Sequence, residues 1–145
     1  MSTSVTPAGC PFCDSTTPII ASNASAFAIR DGFPVNAGHT LIVPRRHFPS
    51  WFDASAEERQ AILHLLDQIK SALDREFAPA GYNIGINDGE AAGQTVMHLH
   101  VHLIPRFDGD VDDPAGGVRF VIPERGNYRR SGYVPRAQED PCAER

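Results

Sequence analysis

Three of the six histidines in this 145-residue chain occupy alternate positions of one apolar run, at His98, His100 and His102. On an extended strand, residues two apart point to the same face, so the three rings share one face. The apolar residues at odd positions from Met97 to Leu103 then point to the core. Imidazole ionises near neutral pH and can serve as a nucleophile, a proton carrier or a phosphate-binding group. The pattern predicts a strand with a chemically active face, and the alternative is a half-buried strand whose outer positions merely happen to be histidine.

A metal site is a second interpretation of the histidine run. Rings four residues apart on a strand are separated by about 13 Å, at a rise of about 3.3 Å per residue. A Zn–N bond is only about 2 Å long, so the three rings do not easily bind one ion together. At most one or two of these histidines are therefore expected to be metal ligands.

The chain contains three cysteines, and two of them form a Cys-x-x-Cys pair at Cys10 and Cys13. Three cysteines do not make a disulfide framework, so the pair indicates either half of a metal site or a redox-active dithiol. Cys142, in a polar segment near the C-terminus, is expected to take no part in this chemistry.

Charge and hydropathy exclude several classes of partner. The formal net charge is -5 at pH 7, which argues against nucleic acid or an anionic membrane surface as a partner. Residues 1–9 have no basic segment followed by an apolar run, and no stretch approaches the roughly 20 apolar residues of a membrane span. We therefore expect a cytoplasmic protein.

The pattern of elements predicts an α+β protein with an antiparallel sheet. We expect disorder over residues 1–9, a single domain over residues 10–136 and a flexible tail over residues 137–145. Predicted strands cover Ala26–Arg30, His39–Val43, Tyr82–Asn87 and the histidine run up to Pro105, with a further extended element over Val118–Pro123.

One long helix is predicted over Ser55–Phe77, because Ser55 and Glu58 have capping-box spacing. His64 lies off its apolar stripe and is expected at the surface. The stripe at helical spacing consists of Ile62, Leu66, Ile69, Leu73 and Phe77.

The alternating histidines followed by Leu103 and Ile104 resemble the defining motif of the histidine triad superfamily of nucleotide hydrolases and transferases. Residues 93–96 are similar to the dinucleoside polyphosphate hydrolase branch, and residues 38–47 resemble the upstream strand of the family. This resemblance spans Cys10 to Arg106. It implies an antiparallel sheet with one long helix, continued across a homodimer.

The resemblance also implies a reaction. The middle histidine, here His100, attacks an α-phosphate and forms a covalent nucleotidyl-histidine that water then hydrolyses. Its implied substrate is a nucleotide or dinucleotide, in particular a dinucleoside polyphosphate of the diadenosine tri- or tetraphosphate type. The implied catalytic residues are His98, His100, His102 and Gln94, and the implied nucleotide-binding residues are Asp31, His39, Asn87, Gln94, Thr95 and His102.

A zinc site follows from the same resemblance, with Cys10, Cys13, His47 and His98 as the ligands. Such a Cys₂His₂ set leaves no open position for water, so the zinc is expected to be structural. The alternative is a reduced thiol pair with His47 exposed at a strand end.

Two other functions remain open at this point. A purine nucleoside phosphoramidase would use the same nucleophile and the same nucleotide pocket with an amine as the leaving group. A non-catalytic nucleotide-binding module that signals to a partner would need the pocket alone.

Overall fold

The computed structural model describes residues 7–130 and 132–133. The disorder predicted for residues 1–6 and for the tail over residues 137–145 lies outside these described residues, as does Cys142. Pro7, Ala8 and Gly9 are described, and the Pro7 carbonyl accepts a hydrogen bond from the Cys10 amide at 3.3 Å. The described residues fall into two compact units, one ending at Asp110 and one beginning at Val111. The single domain over residues 10–136 remains a prediction.

The first unit is an antiparallel sheet of five strands with one long helix, which confirms the predicted antiparallel sheet and single long helix. The spatial order of the strands is β1-β2-β3-β5-β4. The elements are β1 (Ile19–Ser22), β2 (Ala26–Arg30), β3 (Thr40–Pro44), α1 (Ala56–Phe77), β4 (Gly81–Gly85) and β5 (Val101–Arg106). Strand β2 pairs with β3 and strand β4 pairs with β5, and both pairings are antiparallel. Among the described residues, no helix combines the length and the apolar character needed to cross a membrane.

Helix α1 begins where its capping box predicts. The Ser55 hydroxyl accepts from the Glu58 amide, and the Glu58 carboxylate accepts from the Ser55 amide, so both amides are satisfied. Its buried apolar residues are Ile62, Leu65, Ile69 and Leu73. Leu65 therefore replaces the predicted Leu66, which is only half-buried, and His64 is exposed as expected.

The two faces of the sheet bury different sets of side chains. Residues of α1 pack on one face with Leu99, Val101 and Leu103, which confirms the apolar side of the histidine run. Met97 does not follow this pattern, because its side chain is 39% exposed. The opposite face carries Phe27, Ile29, Leu41 and Val43, with Phe12 packed against them.

Strand β5 starts later and ends later than predicted. Pairing with β3 stops at Val101 opposite Ile42, because continued pairing would bring Leu99 opposite Pro44, which has no amide hydrogen. His98 and His100 therefore precede the strand. At the other end, Pro105 pairs with a residue of β4 inside the strand.

The remaining corrections concern short elements. Strand β1 was not predicted, because it has only four residues and three of them are exposed. The predicted strand over Tyr82–Asn87 ends at Gly85, which leaves Asn87 in the following loop. In the second unit, the expected extended element consists of 3₁₀ helices over Gly117–Val121 and Pro123–Arg125. Positive φ angles at Gly116 and Gly117 turn the backbone away from an extended path.

Candidate active site and metal centre

A cavity of about 500 Å³ opens on the face of the sheet opposite α1. The predicted site residues that line it are Asp31, His39, Asn87, Thr95, His100 and His102. They come from the loop between β2 and β3, from the connection between β4 and β5, and, for His102, from β5 itself. His98 and Gln94 do not line the cavity.

The ring of His100 is held in one tautomer by a backbone oxygen. His100 Nδ1 lies 2.8 Å from the carbonyl oxygen of His98. Because a carbonyl only accepts hydrogen bonds, Nδ1 carries the proton and Nε2 keeps its lone pair. The ring lies between Phe12 and His102, at centroid distances of 4.9 and 5.1 Å. This geometry leaves Nε2 as the ring nitrogen of His100 that can act as a nucleophile.

A chain of hydrogen bonds sets the tautomer of His102. The Val35 amide donates to His39 Nδ1 at 3.0 Å, so the proton of that ring lies on Nε2. His39 Nε2 lies 3.0 Å from His102 Nδ1 and 3.3 Å from the Asp31 carboxylate. His102 Nδ1 is therefore the acceptor, and the proton of His102 is on Nε2.

Burial keeps the rings of His39 and His102 neutral at physiological pH. The pKa of His102 is lowered to about 4, mainly by burial and also by the neighbouring His100 and His39, against the opposing effect of Asp31. Burial also lowers the pKa of His39, against the opposing effect of Asp31. His102 Nε2 is buried without a hydrogen-bond partner among the described residues. A buried donor with no partner is costly, so this N–H is available to a phosphate oxygen in the cavity.

Asp31 is engaged within its own loop. One carboxylate oxygen accepts from the Phe33 amide at 2.8 Å, which forms a turn, and the other faces His39. The residue thus orients the loop and the histidine chain from one position. Nucleotide binding by Asp31 remains a prediction.

The Gln94 side chain does not line the cavity, although Gln94 was predicted to be a catalytic and nucleotide-binding residue. Its side chain is 4% exposed, and its amide oxygen accepts from the Gly89 amide at 2.8 Å. Its amide nitrogen donates to the carbonyls of Pro49 and Val96. The carboxamide therefore holds the loop together instead of facing the cavity, whereas the neighbouring Thr95 reaches the lining.

The four expected metal ligands meet in a second cluster. Cys10 Sγ and Cys13 Sγ each lie 3.5 Å from His98 Nδ1, and Cys13 Sγ lies 3.4 Å from His47 Nδ1. The two Nδ1 atoms are 3.1 Å apart. Around a tetrahedral zinc ion a sulfur and a nitrogen ligand lie about 3.5 Å apart, and two nitrogens about 3.3 Å. The donor set and its spacing therefore fit a divalent metal such as zinc.

Neighbouring contacts orient both histidines of this cluster. His98 is 1% exposed, and its Nε2 donates to the Pro44 carbonyl at 2.8 Å, which leaves Nδ1 free to coordinate. The Arg46 guanidinium next to His47 binds the Glu58 carboxylate of α1 at 2.7 Å. The Phe48 carbonyl accepts from the Leu99 amide at 2.7 Å. The Arg46 contact ties the segment of His47 to α1, and the Phe48 contact ties it to the segment of His98.

Comparison with known proteins settles the family. The family model of the HIT domain matches residues 14–109. The chain belongs to this family. An uncharacterized HIT-like protein of Mycoplasma genitalium is 37% identical over 108 residues, which cover 71% of this chain and 77% of the relative.

Two further HIT proteins bear on chemistry. The bis(5'-adenosyl)-triphosphatase of Dictyostelium discoideum is 38% identical over 90 residues, covering 61% of this chain and 60% of that enzyme. A crystal structure of a Zn-bound histidine triad family protein from Mycobacterium smegmatis has a TM-score of 0.65 at 31% identity, covering 78% of this chain and 90% of the other. Relatives within the family thus include a nucleotide hydrolase and a zinc-bound protein.

Two features of this HIT domain were missed by sequence reasoning. Phe12 lines the cavity and packs on His100, and its place between the two cysteines of the pair was the available signal. The Val35 amide, which sets the tautomer of His39, is a backbone group and leaves no mark on the sequence.

Proposed function

We propose that this HIT protein is a nucleotide hydrolase that attacks an α-phosphate through His100, with dinucleoside polyphosphates as its substrates. The observation that carries the proposal is the hydrogen bond from His100 Nδ1 to the His98 carbonyl. It leaves the lone pair of Nε2 free at a cavity of nucleotide size. A relative that is a diadenosine triphosphate hydrolase supports the substrate class.

In the first step, His100 Nε2 forms a bond to the α-phosphorus and the bond to the bridging oxygen breaks. The leaving polyphosphate takes the electron pair. The imidazole becomes positively charged, and the His98 carbonyl stabilises that charge through Nδ1–H. In the second step, water attacks the phosphorus and loses a proton to solvent, the P–N bond breaks with its electron pair returning to Nε2, and a nucleoside monophosphate leaves with His100 in its neutral form.

His102 acts as a hydrogen-bond donor in both steps. Its unpaired Nε2–H binds a non-bridging oxygen of the α-phosphate, where negative charge develops. Because burial lowers the pKa of His102 to about 4, the ring donates this hydrogen bond in its neutral form at physiological pH. Asp31 and Asn87 also line the cavity. In this arrangement Asp31 binds the ribose hydroxyls, and Asn87 binds the ribose or phosphate groups.

Zinc is proposed as a structural ion at Cys10, Cys13, His47 and His98. All four donor positions are filled by protein side chains, so the ion cross-links the segments that carry them. The zinc-bound family member supports this choice of metal.

One observation favours phosphoramidates as a second substrate class. Among the described residues, Arg30 is the only lysine or arginine that lines the cavity. Its guanidinium is already bound to Glu76, the Thr40 hydroxyl and the Gly38 carbonyl. A polyphosphate leaving group gains no free cation from the lining, whereas an amine leaving group needs none.

The experiment that tests the function is a panel of turnover measurements on the purified protein. Diadenosine triphosphate, diadenosine tetraphosphate and adenosine phosphoramidate are compared at matched concentrations, with adenosine monophosphate as the common product. Preference for the two diadenosine compounds supports the proposal, and preference for the phosphoramidate selects the second class. Tight nucleotide binding without turnover of any of the three would identify a binding module instead.

We also propose that the chain forms a homodimer in which β4 extends the sheet across a two-fold axis. Strand β4 lies at one end of the strand order. Its outer edge therefore pairs with no strand of the described chain, and unpaired edges favour association.

A further inference from the structure

The segment from Pro7 to Thr17 carries the cysteine pair but has neither a helix nor a strand of its own. Its backbone hydrogen bonds stay within the segment, between residues such as Cys10 and Asp14. Among the described residues, every hydrogen-bond contact that leaves the segment involves a cysteine sulfur, on His47 or His98. We call Cys10, Cys13, His47 and His98 the thiol cluster. Its contacts are therefore the polar contacts that hold this segment on the sheet.

Phe12 lies between the two cysteines and faces the candidate nucleophile. Its ring centroid is 4.9 Å from that of His100 and 5.7 Å from that of His98. The ring also packs against the apolar residues on the cavity face of the sheet. Any movement of the segment would carry this phenyl ring off His100.

His98 links the two sites through two different groups. Its Nδ1 lies in the thiol cluster, while its carbonyl oxygen accepts a hydrogen bond from His100 Nδ1 at 2.8 Å. The thiol cluster therefore contacts the nucleophile from two sides, through Phe12 and through the backbone of His98.

We propose that Phe12 is a positioning residue for His100, and that Cys10 and Cys13 hold it there. The ring restricts His100 to the orientation in which Nδ1 meets the His98 carbonyl and Nε2 faces the cavity. The thiol cluster thus controls the geometry of the nucleophile as well as the stability of the fold. The effect on turnover rests on the proposed function, whereas the effect on the His100 ring does not.

The first test follows the His100 ring directly and needs no substrate. The protein is labelled at histidine ¹³Cε1, which gives six signals for six histidines, and the His100 signal is assigned by substitution. Removal of the neighbouring phenyl ring in Phe12→Ala should shift this signal. Phe52→Ala is the matched control, because Phe52 is 78% exposed and does not line the cavity, and it should leave the signal in place.

The link to the cysteines is tested by combining changes. Cys10→Ser with Cys13→Ser should shift the His100 signal in the Phe12 protein, and by less when Phe12→Ala is already present. Non-additive shifts show that both changes act on the same contact. Equal shifts in the two backgrounds, or no shift from Phe12→Ala, would overturn the inference.

The second test separates positioning from binding. Misplacing a reacting group lowers the rate of the chemical step, so Phe12→Ala should lower kcat on the order of 10-fold while metal content stays unchanged. Phe12→Leu, which retains most of the side-chain volume, should recover most of this loss. A rise in KM at unchanged kcat would show that Phe12 is only a wall of the cavity. Loss of metal in Phe12→Ala would show that Phe12 holds the cysteines, which is the reverse of the proposal.

The two tests distinguish this inference from the proposed function. If none of the nucleotides is hydrolysed, the proposed function fails and the shifts of the His100 signal still decide the role of Phe12. If nucleotides are hydrolysed and Phe12→Ala does not shift the His100 signal, only the inference fails.

Discussion

His100 obtains its reactive tautomer from a main-chain oxygen, and that contact is independent of which side chain stands at position 98. His102 obtains its tautomer from a longer chain that begins at the Val35 amide. In both rings the proton is in place without a substrate, so the proposed binding of phosphate would need no proton transfer among these groups.

His100→Ala should abolish turnover while leaving nucleotide binding intact. The nucleophile is lost, which should cost several orders of magnitude in kcat, whereas the rest of the cavity lining remains. Turnover and nucleotide titration are measured on the same preparation. Mass spectrometry of enzyme quenched during turnover should show an acid-labile nucleotidyl adduct on His100 in the unaltered protein. Near-normal activity of the variant, or an adduct on His98 or His102, would contradict the mechanism.

The depressed pKa of His102 predicts a loss of stability in acid. Burial lowers this pKa from 6.5 to about 4 in the folded chain, so the unfolded chain takes up the proton first as pH falls. The contribution of neutral His102 is fully present above about pH 6.5 and is lost progressively towards about pH 4. Urea unfolding between pH 7 and pH 5 should show a shallower decline for His102→Gln. His64→Gln, at an exposed position, serves as the control and should keep the original slope.

Much of the candidate site could be predicted at this scale, because the histidine motif resembles that of a known family and the resemblance implies the other site residues. The meeting of Cys10, Cys13, His47 and His98 was inferred before their positions were known, and the structure brings them within 4.8 Å of one another. The placement of Gln94 was not predictable, since an amide serves a phosphate or a loop backbone equally well and only the fold decides.

At the level of elements, the site lies where the β2–β3 loop and the β4–β5 connection meet on one face of the sheet. Gly38, in the loop between β2 and β3, permits the close approach of this loop to α1. Its φ is +84°, and a Cβ at this position would lie 2.8 Å from Leu73 and 3.0 Å from Phe77. The loop that carries Asp31 and His39 is therefore packed against the end of the helix.

Gly38→Ala should destabilise the protein by about 2–4 kcal/mol, since it combines backbone strain with overpacking. Gly81→Ala is the matched control, because no atom lies within 4 Å of its added Cβ and its φ is not positive. Chemical denaturation of the two variants measures the difference. Equal stabilities would show that the helix end yields freely to the extra methyl group.

Zinc should copurify at about one ion per chain when no metal is added, because the four donors form a complete tetrahedral set. Elemental analysis measures this, and Cys10→Ser with Cys13→Ser should remove the ion. An absence of zinc, or zinc that survives the double substitution, would contradict the assignment. Brief chelation should affect turnover less than it would in an enzyme whose zinc binds the substrate.

Sequence patterns located the elements better than they located their ends. The helix was predictable to within one residue because its capping box is a local signal between Ser55 and Glu58. The start of β5 was not, because it depends on the partner strand. Pro44 would face Leu99 if the pairing continued, and that register is a property of the folded sheet.

At the level of the molecule, the sheet has a free edge at β4. The Ile84 side chain on this strand is 48% exposed, and an apolar edge strand invites pairing with another chain. A dimer formed there would place the two candidate sites on one continuous sheet.

Light scattering at micromolar concentration should therefore give the mass of a dimer. Ile84→Lys should shift the protein towards a monomer, because a charge on an edge strand opposes pairing. Leu63→Lys is a control at an equally exposed position on α1 and should leave the mass unchanged. A monomeric mass for the unaltered protein would contradict the proposed assembly.

The thiol cluster also joins parts of the chain that are far apart in sequence. Cys10 and His98 are separated by 88 positions, and Cys13 and His47 by 34. Contacts of such long range form late in folding, after the sheet has brought the segments together. A bound ion that strengthens only late contacts slows unfolding and leaves the folding rate almost unchanged. The supply of metal would then set how long a folded molecule survives, and not how quickly a new one forms.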